Sequence, residues 1–139
     1  MCIRDSLDVV EKEKGKTHAL VRGVAARMAE LGYKIGGFNA AVTSNVMSGS
    51  GLSSSAAFEV MTCAIFDALY NGFTIDYKTR AKISQYAENV YFGKPSGLLD
   101  QMARWTSSMM TPMCARCTST LPSTVIRWSW WRRAAITLI

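Results

Sequence analysis

The chain has 139 residues, 49% hydrophobic and 19% charged, and that length is enough for one ordinary domain. No run of about 18 apolar residues could span a bilayer and no signal peptide opens the sequence, so the expectation is a cytoplasmic protein with reduced cysteines. The formal charge of +6 is uneven: residues 1–103 hold 11 Lys+Arg against 10 Asp+Glu, whereas residues 104–139 hold five Arg and no acid, so the basic character belongs to the tail.

Residues 1–6 precede any periodic pattern and read as a non-native leader, and Leu7 to Lys16 read as a charged loop. Thr17 can cap a helix that carries Leu20, Val21, Val24, Ala25, Met28 and Leu31 at three-four spacing and that Gly32 ends. His18, beside that cap, reads as an exposed first-turn histidine. From Phe38 the period changes to two, with Phe38, Ala40, Val42, Ser44 and Val46 on one face of a strand.

The strand leads into Val46 to Val60, a run of small residues that opens directly into a helical pattern. Backbone N–H groups at such a helix start face an anion, and Gly49 and Gly51 leave room for a ligand against the main chain. The hydroxyls of Ser53, Ser54 and Ser55 can cap the helix, bind phosphate oxygens or ligate a metal. Neither G-x-x-x-x-G-K-[S/T] nor G-x-G-x-x-G occurs, so the loop is either a phosphate cradle of another kind or a turn with a good cap.

A helix follows from about Ser54 to Tyr70, its face lined by Ala57, Val60, Met61, Ala64, Ile65, Ala68 and Leu69, with Phe66 as core and Gly72 as its stop. Asp76 can cap the next helix, whose apolar positions are Ile83, Tyr86, Ala87 and Val90 and which Gly93 and Pro95 end. Ser96 can cap a final short helix containing Leu98, Leu99, Asp100 and Met102. Strand, loop and several helices in this order predict an α+β domain with helices packed on one sheet.

Gly49-Ser50-Gly51-Leu52-Ser53-Ser54-Ser55-Ala56-Ala57 resembles the nucleotide-phosphate motif of the GHMP kinases. Tyr33 to Phe38, Ser44-Asn45-Val46, Gln85 to Asn89 and Gly93-Lys94-Pro95-Ser96-Gly97-Leu98-Leu99-Asp100-Gln101 extend the likeness toward the galactokinase branch, over roughly residues 7–103. The resemblance implies a GHMP-kinase N-terminal-domain-like fold and transfer of the γ-phosphate of ATP to the anomeric (C1) hydroxyl of galactose. ATP and Mg²⁺ are the implied cofactors. Residues Gly49, Ser50, Gly51, Leu52, Ser53, Ser54 and Ser55 would hold the phosphates, and Ser55 with Glu88 the metal. Asp100 would orient the acceptor hydroxyl as general base, and Gly97 would set its backbone against the sugar.

Met47 stands where that family has proline and Ser96 where it has cysteine, positions that supply none of the phosphate, metal or proton chemistry. The family's N-terminal sugar-binding segment and C-terminal glycine-rich motif have no counterpart here, so the resemblance implies a fragment inactive alone. Other readings are a GHMP kinase for N-acetylgalactosamine, homoserine or mevalonate, and a non-catalytic sugar and ATP sensor. Sensors of that kind can lose residues from the Ser-Ser-Ala part of the loop, and Ser54, Ser55 and Ala56 are intact, which favours the enzyme. The expected partners are a small sugar and ATP, with no nucleic acid or membrane, and a monomer is the default.

All four Trp and two of the three Pro lie after residue 103. Residues 104–139 could form a basic aromatic arm, but back-translation shifted by one reading frame permits strings that resemble the same family downstream of Asp100, so a frameshifted or non-native tail is the expectation. Cys2 and Cys63 are isolated, and the lone Cys114-Ala115-Arg116-Cys117 pair is a weak signal for zinc or redox work.

Overall fold

The computed structural model describes residues 7–38, 40–42, 53–102 and 136–138. Inside the stretch expected to be loop, Glu11–Glu13 form a 3-10 turn. Arg22 fixes that turn by donating through Nε and Nη2 to the two oxygens of Glu13 at 2.9 and 3.0 Å, the paired geometry in which a guanidinium matches a carboxylate.

Helix α1 runs Thr17–Glu30. Thr17, expected as its cap, lies inside it: Lys16 is the extended residue before the helix and no side chain caps the end, because the Lys16 carbonyl itself receives the Ala19 N–H at 3.1 Å. Gly32 ends the helix as expected, with N–H bonds from Gly32 to Ala29 and from Tyr33 to Met28, both 3.0 Å. Leu31 is exposed, whereas Ala19, Leu20, Val21, Val24, Ala25, Ala26 and Met28 are buried.

Helices α2, Ser54–Phe66, and α3, Tyr77–Tyr86, end alike. Each passes into a wider π-type turn, Asp67–Asn71 after α2 and Ala87–Phe92 after α3. Each turn closes on a glycine in the left-handed region, Gly72 at φ +64° and Gly93 at φ +80°. The next N–H then returns to a carbonyl six residues back, Phe73 to Asp67 at 3.2 Å and Lys94 to Glu88 at 3.1 Å.

The acids at the head of both turns are buried, and their carboxylates collect donors from the returning chain. Asp67 pairs with Arg80 and accepts the Thr74 N–H at 3.1 Å and the Ile75 N–H at 3.3 Å, so α2 and α3 are pinned at one corner. Asp76 caps α3, accepting from Lys78 and Thr79 N–H at 3.1 and 3.2 Å, as the sequence predicts.

Val24, Ala25 and Met28 of α1, Cys63 and Phe66 of α2, Ile83 of α3, Ala87 of the turn that follows it, and Ile75 make the main core. Fully burying a side chain such as Met28 or Ile83 contributes about 1.5–3 kcal/mol. The buried face of α2 agrees with the expected one at Ala64, Ile65 and Phe66 and differs elsewhere: Ala56, Glu59, Thr62 and Cys63 are buried as well, while Ala57, Val60, Met61, Ala68 and Leu69 are half-buried. The helix is turned so that its small residues meet α1 and α3, which carries Glu59 inward. Val90, expected on the apolar face of α3, is exposed, because the wider turn after Tyr86 changes the spacing and buries Glu88 and Tyr91 instead.

Strand β1, Ala40–Val42, pairs antiparallel with β2, Ile136–Leu138, in the register Ala40 to Leu138 and Val42 to Ile136. Among the described residues this three-residue ladder is the whole of the sheet, so the expected sheet beneath the helices is not borne out there and the helices pack on one another. Of the predicted strand, Phe38 lies before β1 and packs edge-on against Phe66 with ring centroids 5.2 Å apart. Ser44 and Val46 fall outside the described residues. The segment before β1 is held by Asn71, which accepts the Lys34 N–H and donates to the Lys34 carbonyl, both at 2.9 Å.

Candidate metal and phosphate site

Gly49, Ser50, Gly51 and Leu52 lie outside the described residues, and the description resumes at Ser53. Ser53 has φ +47° and ψ +65°, a left-handed conformation that a non-glycine residue adopts at a cost of about 1–3 kcal/mol. Its hydroxyl does not cap α2, contrary to one use expected of it, and among the described residues it is buried without a hydrogen-bond partner. α2 therefore begins with no side-chain cap and no acid in its first turn, leaving its N–H groups to an anion or to water. Ser54, next along, is exposed.

Ser55 and Glu88 are brought together across 33 residues of sequence: Ser55 Oγ donates to Glu88 Oε1 at 2.8 Å. The first turn of α2 supplies one partner and the wide turn after α3 the other. Lys94 Nζ lies 3.1 Å from the same Oε1, and Gln101 Nε2 donates to Oε2 at 2.8 Å. Burial alone would raise the Glu88 pKa, but the hydroxyls of Ser96 and Ser55 and the Lys94 ammonium outweigh it and hold the carboxyl below its ordinary range. Glu88 is thus an ionised, oriented carboxylate.

Three participants escape the sequence reading: Glu59, Lys94 and Gln101. Glu59 is fully buried, and among the described residues neither of its oxygens meets a partner at full hydrogen-bond geometry. Burial, and then the negative Glu88, push its carboxyl up to about 9, with the Gln101 amide and Lys94 pulling the other way. A lone acid four residues after Ser55 on an otherwise apolar helix was the available signal, since that spacing puts both on one face. Gln101 and Lys94 stand within the family-like segment but carry no pattern that reveals their target.

Asp100 is exposed on the short helical turn of residues 99–102, and its neighbour Gln101 is the buried residue bonded to Glu88. The two acids are therefore linked through one backbone step and one amide. Gly97 is exposed with open space where a Cβ would be. His18 is exposed, as expected. Cys63 is core, its thiol pushed up to about 12 mainly by burial. Cys2, Cys114 and Cys117 lie outside the described residues, and among the described residues no helix is long and apolar enough to cross a membrane.

The donor chemistry fits Mg²⁺, a hard cation that takes oxygen ligands and keeps several waters. Ser55 and Glu88 offer a hydroxyl and a carboxylate oxygen 2.8 Å apart, and that carboxylate already holds a cationic group.

The family described as GHMP kinases N terminal domain matches residues 19–107. The galactokinase of Pyrococcus furiosus is 42% identical over 98 residues, which is 70% of this chain and 27% of that protein. The galactokinase of Thermococcus kodakarensis is 37% identical over 99 residues, 70% of this chain and 28% of that protein. The galactokinase of Clostridium tetani is 37% identical over 82 residues, 59% of this chain and 21% of that protein. The chain spans about a quarter of the length of these curated relatives. The match to residues 19–107 includes the helices that build the Ser55 and Glu88 pair, and the chain belongs to the GHMP kinase N-terminal domain family.

Proposed function

We propose that this chain carries the phosphate-gripping and metal-holding part of an ATP-dependent sugar kinase that transfers the γ-phosphate of ATP to the anomeric (C1) hydroxyl of galactose. The observation that carries the reading is the contact of Ser55 with Glu88 at the uncapped start of α2. Phosphoryl transfer asks for held phosphates, neutralised charge and an oriented acceptor, with little covalent work by the protein.

In this reading Gly49 to Ser55 present backbone N–H groups and hydroxyls to the ATP phosphates, aided by the positive end of the α2 dipole. Ser55 and Glu88 hold Mg²⁺, which when bound would neutralise charge on the phosphate oxygens. Asp100 accepts the proton of the attacking hydroxyl, and Gly97 leaves space for the sugar beside it. The identity of the sugar rests on the likeness to galactokinases. Residues 104–139 supply none of these chemical groups, although Ile136–Leu138 pairs with Ala40–Val42, and they are read as a frameshifted or non-native tail. Spanning about a quarter of the length of the galactokinases it resembles, the 139-residue chain is expected not to turn over by itself.

A chimera in which residues 19–102 replace the matching stretch of the Pyrococcus furiosus galactokinase tests this. It should form galactose 1-phosphate from ATP and galactose, and Asp100→Asn in the chimera should lower the rate by roughly 10²–10⁴-fold. A folded, ATP-binding chimera that leaves galactose untouched, or an Asp100→Asn variant at full rate, would overturn the reading.

A further inference from the structure

The two oxygens of Glu88 have neighbours of different kinds. Oε2 is bonded to Gln101 Nε2 at 2.8 Å, and Gln101 is itself fully buried, so that partner cannot leave without breaking into the core. Oε1 is shared by Ser55 Oγ at 2.8 Å and Lys94 Nζ at 3.1 Å. The Lys94 side chain is 53% exposed while that of Glu88 is 0% exposed, so the ammonium reaches in from solvent and can withdraw to it. The lysine backbone is itself tied down, its N–H bonded to the Glu88 carbonyl at 3.1 Å just after Gly93.

We propose that Lys94 is a resident counter-cation of this site, holding the Glu88 oxygen that a divalent cation takes, so that metal and ammonium exclude one another there. The inference rests on the reading of Ser55 and Glu88 as metal ligands given above. Burial supplies the reason for a placeholder. Glu59 is buried beside Glu88 and brings no cation, and the Glu88 side chain is itself 0% exposed, so without Lys94 its charge would sit uncompensated in a region of low dielectric. Lys94 removes that penalty and, being half in water, yields to a stronger cation. Gln101 keeps the carboxylate in place during the exchange.

The test uses the 139-residue chain, isotopically labelled, and Mn²⁺ alone as the probe, read as paramagnetic broadening of the Ser55, Glu88 and Gln101 signals. In Lys94→Met the Mn²⁺ concentration for half-broadening should fall roughly five- to tenfold, the effect of removing one screened charge from contact distance. In Lys94→Arg, which keeps the charge, it should stay within about twofold of the parent. Glu88→Gln should abolish the broadening. Unchanged or weaker Mn²⁺ binding in Lys94→Met, with Glu88→Gln still abolishing it, overturns the role of Lys94 and leaves the metal reading standing. Broadening that persists in Glu88→Gln overturns both. Should Lys94→Met not fold, the unmodified chain decides: Mg²⁺ should move the Lys94 ε-methylene signal to its free-lysine position, and a signal that Mg²⁺ leaves unmoved while Glu88 responds overturns the exchange.

Discussion

Replacing Glu59 by glutamine tests whether the acid beneath the site is held neutral. The carboxyl is fully buried, its oxygens meet no partner at full hydrogen-bond geometry among the described residues, and it is pushed up to about 9 from an ordinary 4.5. The folded state therefore binds this proton more tightly than the unfolded chain does. Its contribution to stability is complete below about pH 4.5 and is lost as pH rises toward about 9, at about 1.36 kcal/mol per pH unit. Between about pH 5 and pH 8 that slope amounts to about 4 kcal/mol, a large part of the total stability of a small domain. Glu59→Gln keeps the shape and removes the titration. Urea unfolding of parent and variant at both pH values should show the variant gaining about 4 kcal/mol relative to the parent on going to the higher pH, with unchanged m-values. A difference between the two proteins that does not change with pH would mean instead that Glu59 ionises in the folded protein near its ordinary value.

Two further substitutions test how the helices that carry the site are held. A Cβ at Gly23 would lie 2.8 Å from Ala87 Cβ and 2.9 Å from Tyr91 Cγ, so Gly23→Ala should lower the unfolding free energy by about 1–3 kcal/mol through overpacking against the turn that presents Glu88. An unchanged denaturation midpoint would show that α1 does not seat this turn. Asp67→Ala leaves the Arg80 guanidinium buried without its carboxylate and frees the Thr74 and Ile75 N–H groups, and should cost about 3–5 kcal/mol by thermal or chemical unfolding. A loss below about 1 kcal/mol would show that the corner is not held by this acid.

Much of the helical framework could be read from the chain, because its signals are local. Asp76 announced a capped helix start, and Gly32, Gly72 and Gly93 announced the helix ends. What the periodic reading missed were the wide turns after Phe66 and Tyr86. A π-type turn adds a residue to the helical repeat, which no apolar spacing records, and it moves Val90 outward and Glu88 and Tyr91 inward. For α2, apolarity on most sides left its orientation undetermined, and the contacts with α1 and α3 chose the face with Ala56, Glu59 and Cys63.

The candidate site was legible in part. Ser55 and Glu88 were paired by likeness alone, and their contact depends on long-range packing that local sequence does not encode. Glu59, Gln101 and Lys94 were invisible as partners for the same reason: each acts on Glu88 across a helix or turn, and a buried glutamine or a half-exposed lysine has no spacing rule of its own. The expected sheet rested on period-two residues from Phe38 to Val46, of which Ala40–Val42 form a strand and Ser44 and Val46 fall outside the described residues.

Ser55 and Glu88, proposed to hold a metal against nucleotide phosphates at the start of α2, are open to a direct binding measurement. Calorimetric titration of ATP into the chain, with Mg²⁺ and again with a chelator, tests that role most directly when repeated on Ser55→Ala and Glu88→Gln. Binding should weaken at least about tenfold, or about 1.4 kcal/mol, when Mg²⁺ is removed and by a similar factor in either variant with Mg²⁺ present. ATP binding of equal strength with and without Mg²⁺, unaltered by both substitutions, would contradict that role.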